Sequence, residues 1–329
     1  MANVVLFDET GGPEVLRLAE MSLPAPGQGQ VQVRIDAIGL NRADTLFRAG
    51  GYYYQPTLPA SRLGSEAAGV VEAVGPEVTR FAPGDAVSVL LIGTGMSEDG
   101  IYADRAVVRE DAVLSRPAGM DAPTGAAVWM SCLTAYGALI EVGRARPGDH
   151  VLITAASSSV GTAAIQIAGQ IGAVPIAVTR TEAKAEQLVR TGAAHVIATD
   201  HDDLADRVKD ITGGEGARIV FDSIGGPGLT RLAQLVARDG TLIVYGWLDP
   251  RPAPLPMNWP LNVHGYGVHH VIQDPDRTRR AHAFITAGLR TGALAPVIDR
   301  TFDLSAIADA HRHMEANGQV GKVIVTVRH

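Results

Sequence analysis

The sequence predicts a two-domain α/β protein, with a β-rich, barrel-like domain and a doubly wound parallel sheet. Three observations carry that expectation. Residues 2–108 contain many short apolar segments punctuated by Gly and Pro. From Thr124 onward, helical and strand patterns alternate at the spacing of βαβ units. With 329 residues, 46% of them hydrophobic, the chain is long enough to fill two cores of ordinary size.

In the first domain, residues 2–7 alternate loosely as a strand, and Gly11-Gly12-Pro13 turns the chain into residues 15–18. A loop with Pro24, Pro26, Gly27 and Gly29 precedes residues 31–35, whose period of two marks a half-buried strand. Residues 67–74, closed by Gly75-Pro76, read as another strand. Residues 86–91 follow the Pro83-Gly84-Asp85 turn, and residues 101–108 add one more. At Thr124 the texture changes to a long Ala-rich helical pattern. Helices are then expected at 182–191, 204–211 and 229–236, and strands at 195–198, 219–222 and 241–245. The Pro-rich stretch 251–260 marks a loop or exit, and residues 261–268 read as a last strand of the sheet. The tail holds helices at 278–290 and 305–317 and a strand at 322–327 that returns to the first domain. The expected division is therefore 1–123 with 269–329, and 124–268.

The chain carries 28 Lys and Arg against 35 Asp and Glu, a net charge of −7, with no block of like charge. That balance argues against a nucleic-acid partner. Cys132 is the only cysteine, which excludes disulfides within the chain and any multi-cysteine zinc site. Asp8 and Glu9 interrupt the N-terminus before an apolar run builds up, so no signal peptide is read there. No stretch approaches the ~20 apolar residues that span a bilayer, and a cytosolic enzyme without a membrane partner is expected.

The chemistry concentrates in residues 147–184. An apolar run at 151–154, a turn of small residues, a helix and a second apolar strand at 174–179 form one βαβ crossover. Small residues at its first turn let backbone approach a pyrophosphate, and the helix N-terminus supplies N–H groups and partial positive charge. Ala156, Ser158 and Gly161 stand where a G-x-G-x-x-G fingerprint has glycines, and Ser157, Ser159 and Val160 complete the turn. A close-packed turn in any α/β protein has the same look. After the second strand, where an NAD site has an acidic residue, this chain has Thr179 and Arg180, with Lys184 one turn on. Two cations and a hydroxyl suit a 2′-phosphate, which favours NADP(H). Glu182 and Glu186 leave an ordinary charged helix start as the alternative.

Together GGPEVLRL, AIGLNRAD, LGSEAAGVVEAVG, PGDAV, AASSSVGTAAIQIA and the closing GKVIVTV resemble the medium-chain dehydrogenase/reductase superfamily, most closely its zinc-free quinone oxidoreductases. The resemblance covers essentially the whole chain. It implies a GroES-like first domain and a Rossmann second domain. Where zinc members of the superfamily carry metal ligands, this chain has Asn41, the Ser65 of Gly64-Ser65-Glu66, and Met130, with Cys132 displaced. No ligand set survives, so no metal is expected.

Without a Lewis acid, hydride transfer suits acceptors that are already electron-poor, such as quinones and α,β-unsaturated carbonyls. The resemblance then implies Asn41 as a donor to developing oxygen charge, Asp44 as an orienting carboxylate, and Tyr52 as a donor or proton source. Asp44 is equally readable as the N-cap of a helix at 45–48. Tyr53 and Tyr54 leave the tyrosine assignment open by one or two positions, and all three are readable as an aromatic loop closing a pocket.

The resemblance also implies cofactor contacts from Ser223, Gly225, Tyr245, Gly246, Asn317 and Lys322, with Thr199 where related chains often have a tyrosine flanking the 2′-phosphate. A homodimer joined through edge strands near residues 261–268 is a further implication. His264, His269 and His270, and the diverging His311 and His313, are discounted as ligands. Cys132, in an apolar helix, is read as core. The expected function is NADPH-dependent reduction of a quinone or enone, by hydride or single electrons. The alternatives are an enoyl reductase acting on polyketide-like or fatty-acyl-like intermediates and a non-catalytic NADPH-binding protein.

Overall fold

In the computed structural model, which describes residues 1–93, 95–258 and 260–329, the chain divides into residues 1–130 with 298–329 and residues 131–297. The Pro-rich stretch anticipated at 251–260 includes Trp259, which lies outside the described residues.

The first unit opens with a hairpin of β1 (Ala2–Leu6) and β2 (Arg17–Met21). Then come β3 (Gln30–Gly39), α1 (Arg42–Arg48), β4 (Glu66–Val74), β5 (Ala86–Leu90), α2 (Met96–Asp99), β6 (Arg105–Arg109), β7 (Val113–Ser115) and residues 122–130 of α3 (Ala122–Tyr136). Along β3, Val31, Val33 and Ile35 face the core while the intervening residues are half-exposed, which is the alternation of a strand with one dry face. β3 is the hub: it pairs antiparallel with both β4 and β6. Close approach of β3 and β4 demands Gly69, where a Cβ would fall into the Arg34 carbonyl.

The second unit contains β8 (His150–Ile153), α4 (Ser159–Gln170), β9 (Val174–Thr179), α5 (Ala185–Thr191), β10 (His195–Ala198), α6 (Leu204–Ile211), β11 (Ala217–Asp222), α7 (Leu229–Ala233), β12 (Val236–Val244), β13 (Asn262–Gly265), α8 (His269–Ile272) and α9 (Pro275–Thr291). Its six strands are all parallel, in the order β10-β9-β8-β11-β12-β13. Leu152, Ile176, Ile197, Val220 and Leu242 are buried within it, as a sheet covered on both faces requires. The chain reverses direction of winding between β8 and β11, and ligands of such sheets gather at the carboxyl ends on either side of that point.

The chain then returns to the first unit with β14 (Ile298–Asp303), α10 (Ile307–Glu315) and β15 (Lys322–Thr326). β15 pairs antiparallel with the end of β3, setting Ile324 opposite Gly39, and completes a seven-stranded sheet, six strands in the order β14-β15-β3-β4-β5-β7 with β6 as the seventh on β3.

Several expectations are corrected. Residues 269–297 pack in the second unit rather than the first. There the Gln166 side chain both donates to the Ala295 carbonyl (2.8 Å) and accepts its N–H (3.0 Å). Residues 124–130 belong to the first, where Ala126 and Ala127 pack on Ala37, Ala68 and Ile324. The helix expected at 229–236 ends at Ala233 because Val236 already pairs with Ala217 in the sheet. Residues 101–104 are not part of a regular strand, and β14 was not anticipated. Helix 122–142, including a π-helical turn at Gly137–Val142, is long and apolar enough to cross a bilayer, contrary to the reading of the sequence. Its most apolar window is 78% buried inside the protein, as for a core helix.

Candidate active site

The turn between β8 and α4 is built from backbone. Ala155 takes a positive φ of 43°, and the Ala156 N–H donates to the Val178 carbonyl of β9 (3.2 Å). Ser158 is the N-cap of α4, its Oγ accepting the Gly161 N–H at 3.0 Å. That oxygen therefore serves the start of the helix. Ser159 and Val160 open the helix. Gly161 lies so close to the turn that a Cβ there would sit 2.5 Å from the Ala156 carbonyl oxygen. A helix start behind a turn of small residues is a ready anion cradle.

Behind the cradle, Thr179 ends β9 and is buried, Arg180 is exposed, and Lys184 reaches back to donate to Ser157 Oγ (3.1 Å). This bond ties the cation after β9 to the turn after β8. Thr199 donates through its N–H to the Thr179 carbonyl (3.0 Å), so it supports the end of β9.

Across the point where winding reverses, Thr154 Oγ1 donates to Asp222 Oδ1 at 2.6 Å, clasping the carboxyl ends of β8 and β11. Asp222 Oδ2 accepts the Gly225 N–H at 2.7 Å. Burial raises the Asp222 carboxyl, against the pull of Thr154 and two backbone N–H groups. Ser223 is buried just beyond, Gly225 has a positive φ of 68°, and a Cβ at Gly246 would press on the Ser223 carbonyl (2.8 Å). The Tyr245 ring stacks on Phe221 with centroids 4.1 Å apart. Its hydroxyl is pushed up to about 12, chiefly by burial and then by the Asp222 charge, while Ser223 and Ser158 pull the other way. A helix start, a cation pair and Cβ-free strand ends at one edge of one sheet fit a dinucleotide. The sequence does not reveal the Thr154–Asp222 clasp, although a hydroxyl and a carboxylate at two neighbouring strand ends are its signal.

The three positions singled out in place of metal ligands lie together in the first unit. Asn41 caps α1, and its neighbours in space are Ser65 and Glu66 at the start of β4 and Lys322 at the start of β15. Lys322 Nζ lies 2.5 Å from Glu66 Oε2 and 2.6 Å from Asn41 Oδ1. Glu66 Oε1 accepts the Met130 N–H at 2.9 Å. Asn41 Nδ2 donates over longer distances to Ser65 Oγ (3.2 Å), the Gly39 carbonyl (3.3 Å) and Glu66 Oε2 (3.4 Å). The Asn41, Ser65, Glu66 and Lys322 side chains are buried. Among the described residues, no cluster of three or more His, Cys, Asp or Glu is placed to hold a metal ion.

Asp44 is the third residue of α1, not its cap. Its carboxylate reaches back to accept the Asn41 N–H (2.9 Å), the carboxylate half of a capping box. It also accepts from Ser65 Oγ (3.0 Å) and the Tyr102 hydroxyl (2.9 Å). Burial nonetheless lifts it to about 6, with those donors and Lys322 opposing. The folded chain thus keeps this proton to higher pH than an unfolded one, whose carboxyl titrates near 3.8. This group therefore adds stability as pH falls from about 6 to 4 and loses it as pH rises. Asp44→Asn preserves acceptor and donor shapes, so the variant is expected to match the wild type near pH 4. It should exceed it by about 2–3 kcal/mol at pH 7.5. Urea unfolding at four pH values checks this, and a difference independent of pH would refute it.

Of the three tyrosines, Tyr54 donates its hydroxyl to the Gly93 carbonyl (2.7 Å), Tyr53 is exposed, and Tyr52 packs half-buried on the core. Tyr52 resists ionisation because of burial first, then Tyr53, Tyr54 and the charge of Asp44. Two residues expected at the cofactor have side-chain partners within the first unit. Lys322 is committed to the buried Glu66 carboxylate, which requires a cation, and Asn317 Oδ1 accepts from Arg42 (2.6 Å). The two histidines of α10 diverge. His311 is fully buried with Nδ1 2.8 Å from Arg48, and His313 meets Asp299 at 2.7 Å.

The comparisons with known proteins agree on one family. Residues 27–118 match the model of the alcohol dehydrogenase GroES-like domain, and residues 159–286 that of the zinc-binding dehydrogenases. Positions 41, 65 and 130 fall outside the second span. A quinone oxidoreductase of Homo sapiens is 31% identical, covering 99% of this chain and 98% of its own. A 2-haloacrylate reductase of Burkholderia sp is 30% identical, with 99% of each chain covered. Among solved structures, the Escherichia coli quinone oxidoreductase complexed with NADPH superposes with a TM-score of 0.90 at 28% identity, over 99% of this chain and all of that one.

Proposed function

Because this chain belongs to the medium-chain dehydrogenase/reductase superfamily, in its quinone oxidoreductase-like branch, we propose that it reduces quinones or α,β-unsaturated carbonyls with NADPH and without a catalytic metal. The observation that carries the reading is the buried ammonium of Lys322, held by Asn41 and Glu66 beside Ser65. Those positions provide an amide, a hydroxyl and one carboxylate that is already neutralised, a donor set with little to offer zinc.

Bound NADPH supplies the hydride. The protein binds the dinucleotide on the α4 N-terminus, with Ser157 to Gly161 around the pyrophosphate and Thr179, Arg180 and Lys184 at the 2′-phosphate. Asn41 donates to the acceptor oxygen as negative charge builds there. Tyr52 stays protonated at neutral pH and is the second donor.

The test is NADPH oxidation followed against a quinone, an enal, a 2-haloacrylate and an enoyl thioester. Faster turnover of the thioester than of all others would favour the enoyl reductase. The 2-haloacrylate is included because the Burkholderia relative points to reduction of an electron-poor C=C bond. Tight NADPH binding with no turnover of any acceptor would leave a non-catalytic binder. Elemental analysis of the purified protein should find far less than one zinc per chain, and one per chain would overturn the metal-free reading.

Arg180→Ala is expected to weaken NADPH binding about 10- to 100-fold, the worth of a charge-assisted bond to phosphate, and NADH binding less than about twofold. Fluorescence titration measures both, and equal losses would remove Arg180 from the phosphate site. A homodimer through β13 belongs to the same reading: it is an edge strand, and its Val263 is exposed. Sedimentation of the wild type and Val263→Lys tests it. The reading also includes a cytosolic location.

A further inference from the structure

We propose that Lys322 is a positioning residue that holds the Asn41 amide oxygen and so leaves only the amide N–H groups to face the acceptor; this rests on the reductase reading above. An ammonium has three donors and no acceptor. The Asn41 atom 2.6 Å from Lys322 Nζ must therefore be the carbonyl oxygen, because the flipped amide would set NH2 against NH3⁺. The orientation follows from chemistry rather than from a choice between two similar ends.

The consequence runs through four residues. Lys322 donates to Asn41 Oδ1, Asn41 Nδ2 donates to Ser65 Oγ, and Ser65 Oγ donates to Asp44 Oδ1. A cation stands at one end and a carboxyl group at the other, so the bonds polarise one another in a single direction. The amide between them has its oxygen saturated by charge-assisted contact, which makes its N–H groups stronger donors. Yet those N–H groups have only contacts of 3.2–3.4 Å, at or beyond the long end of the usual range. An oxyanion at normal hydrogen-bond distance would outcompete them. Glu66 holds the ammonium in place from the other side, with its second oxygen fixed by the Met130 N–H.

Three variants of the full-length protein with NADPH test this. Asn41→Asp keeps an oxygen for Lys322 but has no N–H. It should retain NADPH affinity within twofold while kcat with 1,4-benzoquinone falls about 100-fold, the usual cost of one oxyanion donor. Glu66→Gln/Lys322→Met leaves no unpaired charge and releases the Asn41 amide, and should lower kcat about tenfold or more with little change in the KM for NADPH. Combined with Asn41→Asp it should cost little beyond Asn41→Asp alone, because the residues act as one unit.

An independent readout needs no turnover. The Asn41 side-chain 15N–1H pair, assigned by its loss in Asn41→Asp, should shift in Glu66→Gln/Lys322→Met and exchange faster with water. Unchanged amide signals, wild-type kcat in Asn41→Asp, or additive losses in the combination would each overturn the proposal. If the wild type reduces no acceptor, the reductase reading fails, while the amide signals still decide whether Lys322 sets the orientation.

Discussion

Replacing Glu66 with alanine is expected to destabilise the first unit by about 3–5 kcal/mol and to lower its melting transition by about 10 °C. Glu66 and Lys322 are essentially inaccessible to solvent, with 0% and 1% exposure. Removing the carboxylate leaves an ammonium enclosed with Asn41 Oδ1 as its one remaining hydrogen-bond acceptor among the described residues, and takes from the Met130 N–H the bond it makes at 2.9 Å. The cost is that of an uncompensated buried charge and is not a measure of what the pair contributes. For that reason Glu66→Leu/Lys322→Met should recover most of the loss, since two apolar side chains of similar length remove both charges together. Urea and thermal unfolding of the single and double variants give the comparison. A loss below about 1 kcal/mol in Glu66→Ala would mean that water enters the site and solvates the lysine.

That pair also shows where reading a sequence reaches its limit. The β8–α4–β9 crossover is visible because its signals are local: an apolar run, small residues at the turn, and a second apolar run after Gly172. The parallel order of the second sheet follows from the alternation of such units. Lys322 is different. In GKVIVTV it opens a strand expected to return to the first domain, and nothing near it in sequence carries the charge that buries it. Its partners lie 256 and 281 positions away and reach it only because β15 pairs with the end of β3.

Helix termini failed for a related reason. Asp44 is readable as a cap from its position in AIGLNRADTLF, but the helix begins three residues earlier than that reading places it, and Asn41 takes the cap. The 229–236 helix was cut short by sheet pairing that local propensity does not encode. His311 and His313 differ by two positions, and one is core while the other is half-exposed. Only packing against Arg48 and Tyr102 decides which. His311 is consequently held neutral, its ionisation lowered to about 3 by burial and then by the Arg48 and Arg42 charges.

Gly161→Val is expected to weaken NADPH binding by about 100-fold or more, roughly 2.7 kcal/mol, and to destabilise the second unit by about 1–3 kcal/mol. A Cβ at this position meets the Ala156 carbonyl oxygen at 2.5 Å and its Cα at 2.7 Å, both backbone atoms that no rotamer change can move aside. Ala156 is itself fully buried and hydrogen-bonded to β9, so the turn cannot retreat. The strain has to be relieved by lifting the start of α4, and that displaces the N–H groups of the cradle together with the Ser158 cap. Gly169, eight residues along the same helix, supplies the control: it is exposed, and nothing lies within 4 Å of a Cβ built there. Gly169→Ala should therefore raise stability by up to about 1 kcal/mol and leave NADPH affinity unchanged, because alanine favours the helix and meets no neighbour. Fluorescence titration and thermal melts of both variants separate the two effects. If Gly161→Val binds NADPH like the wild type, the pyrophosphate does not rest on this turn, and the serines around it have only a structural role.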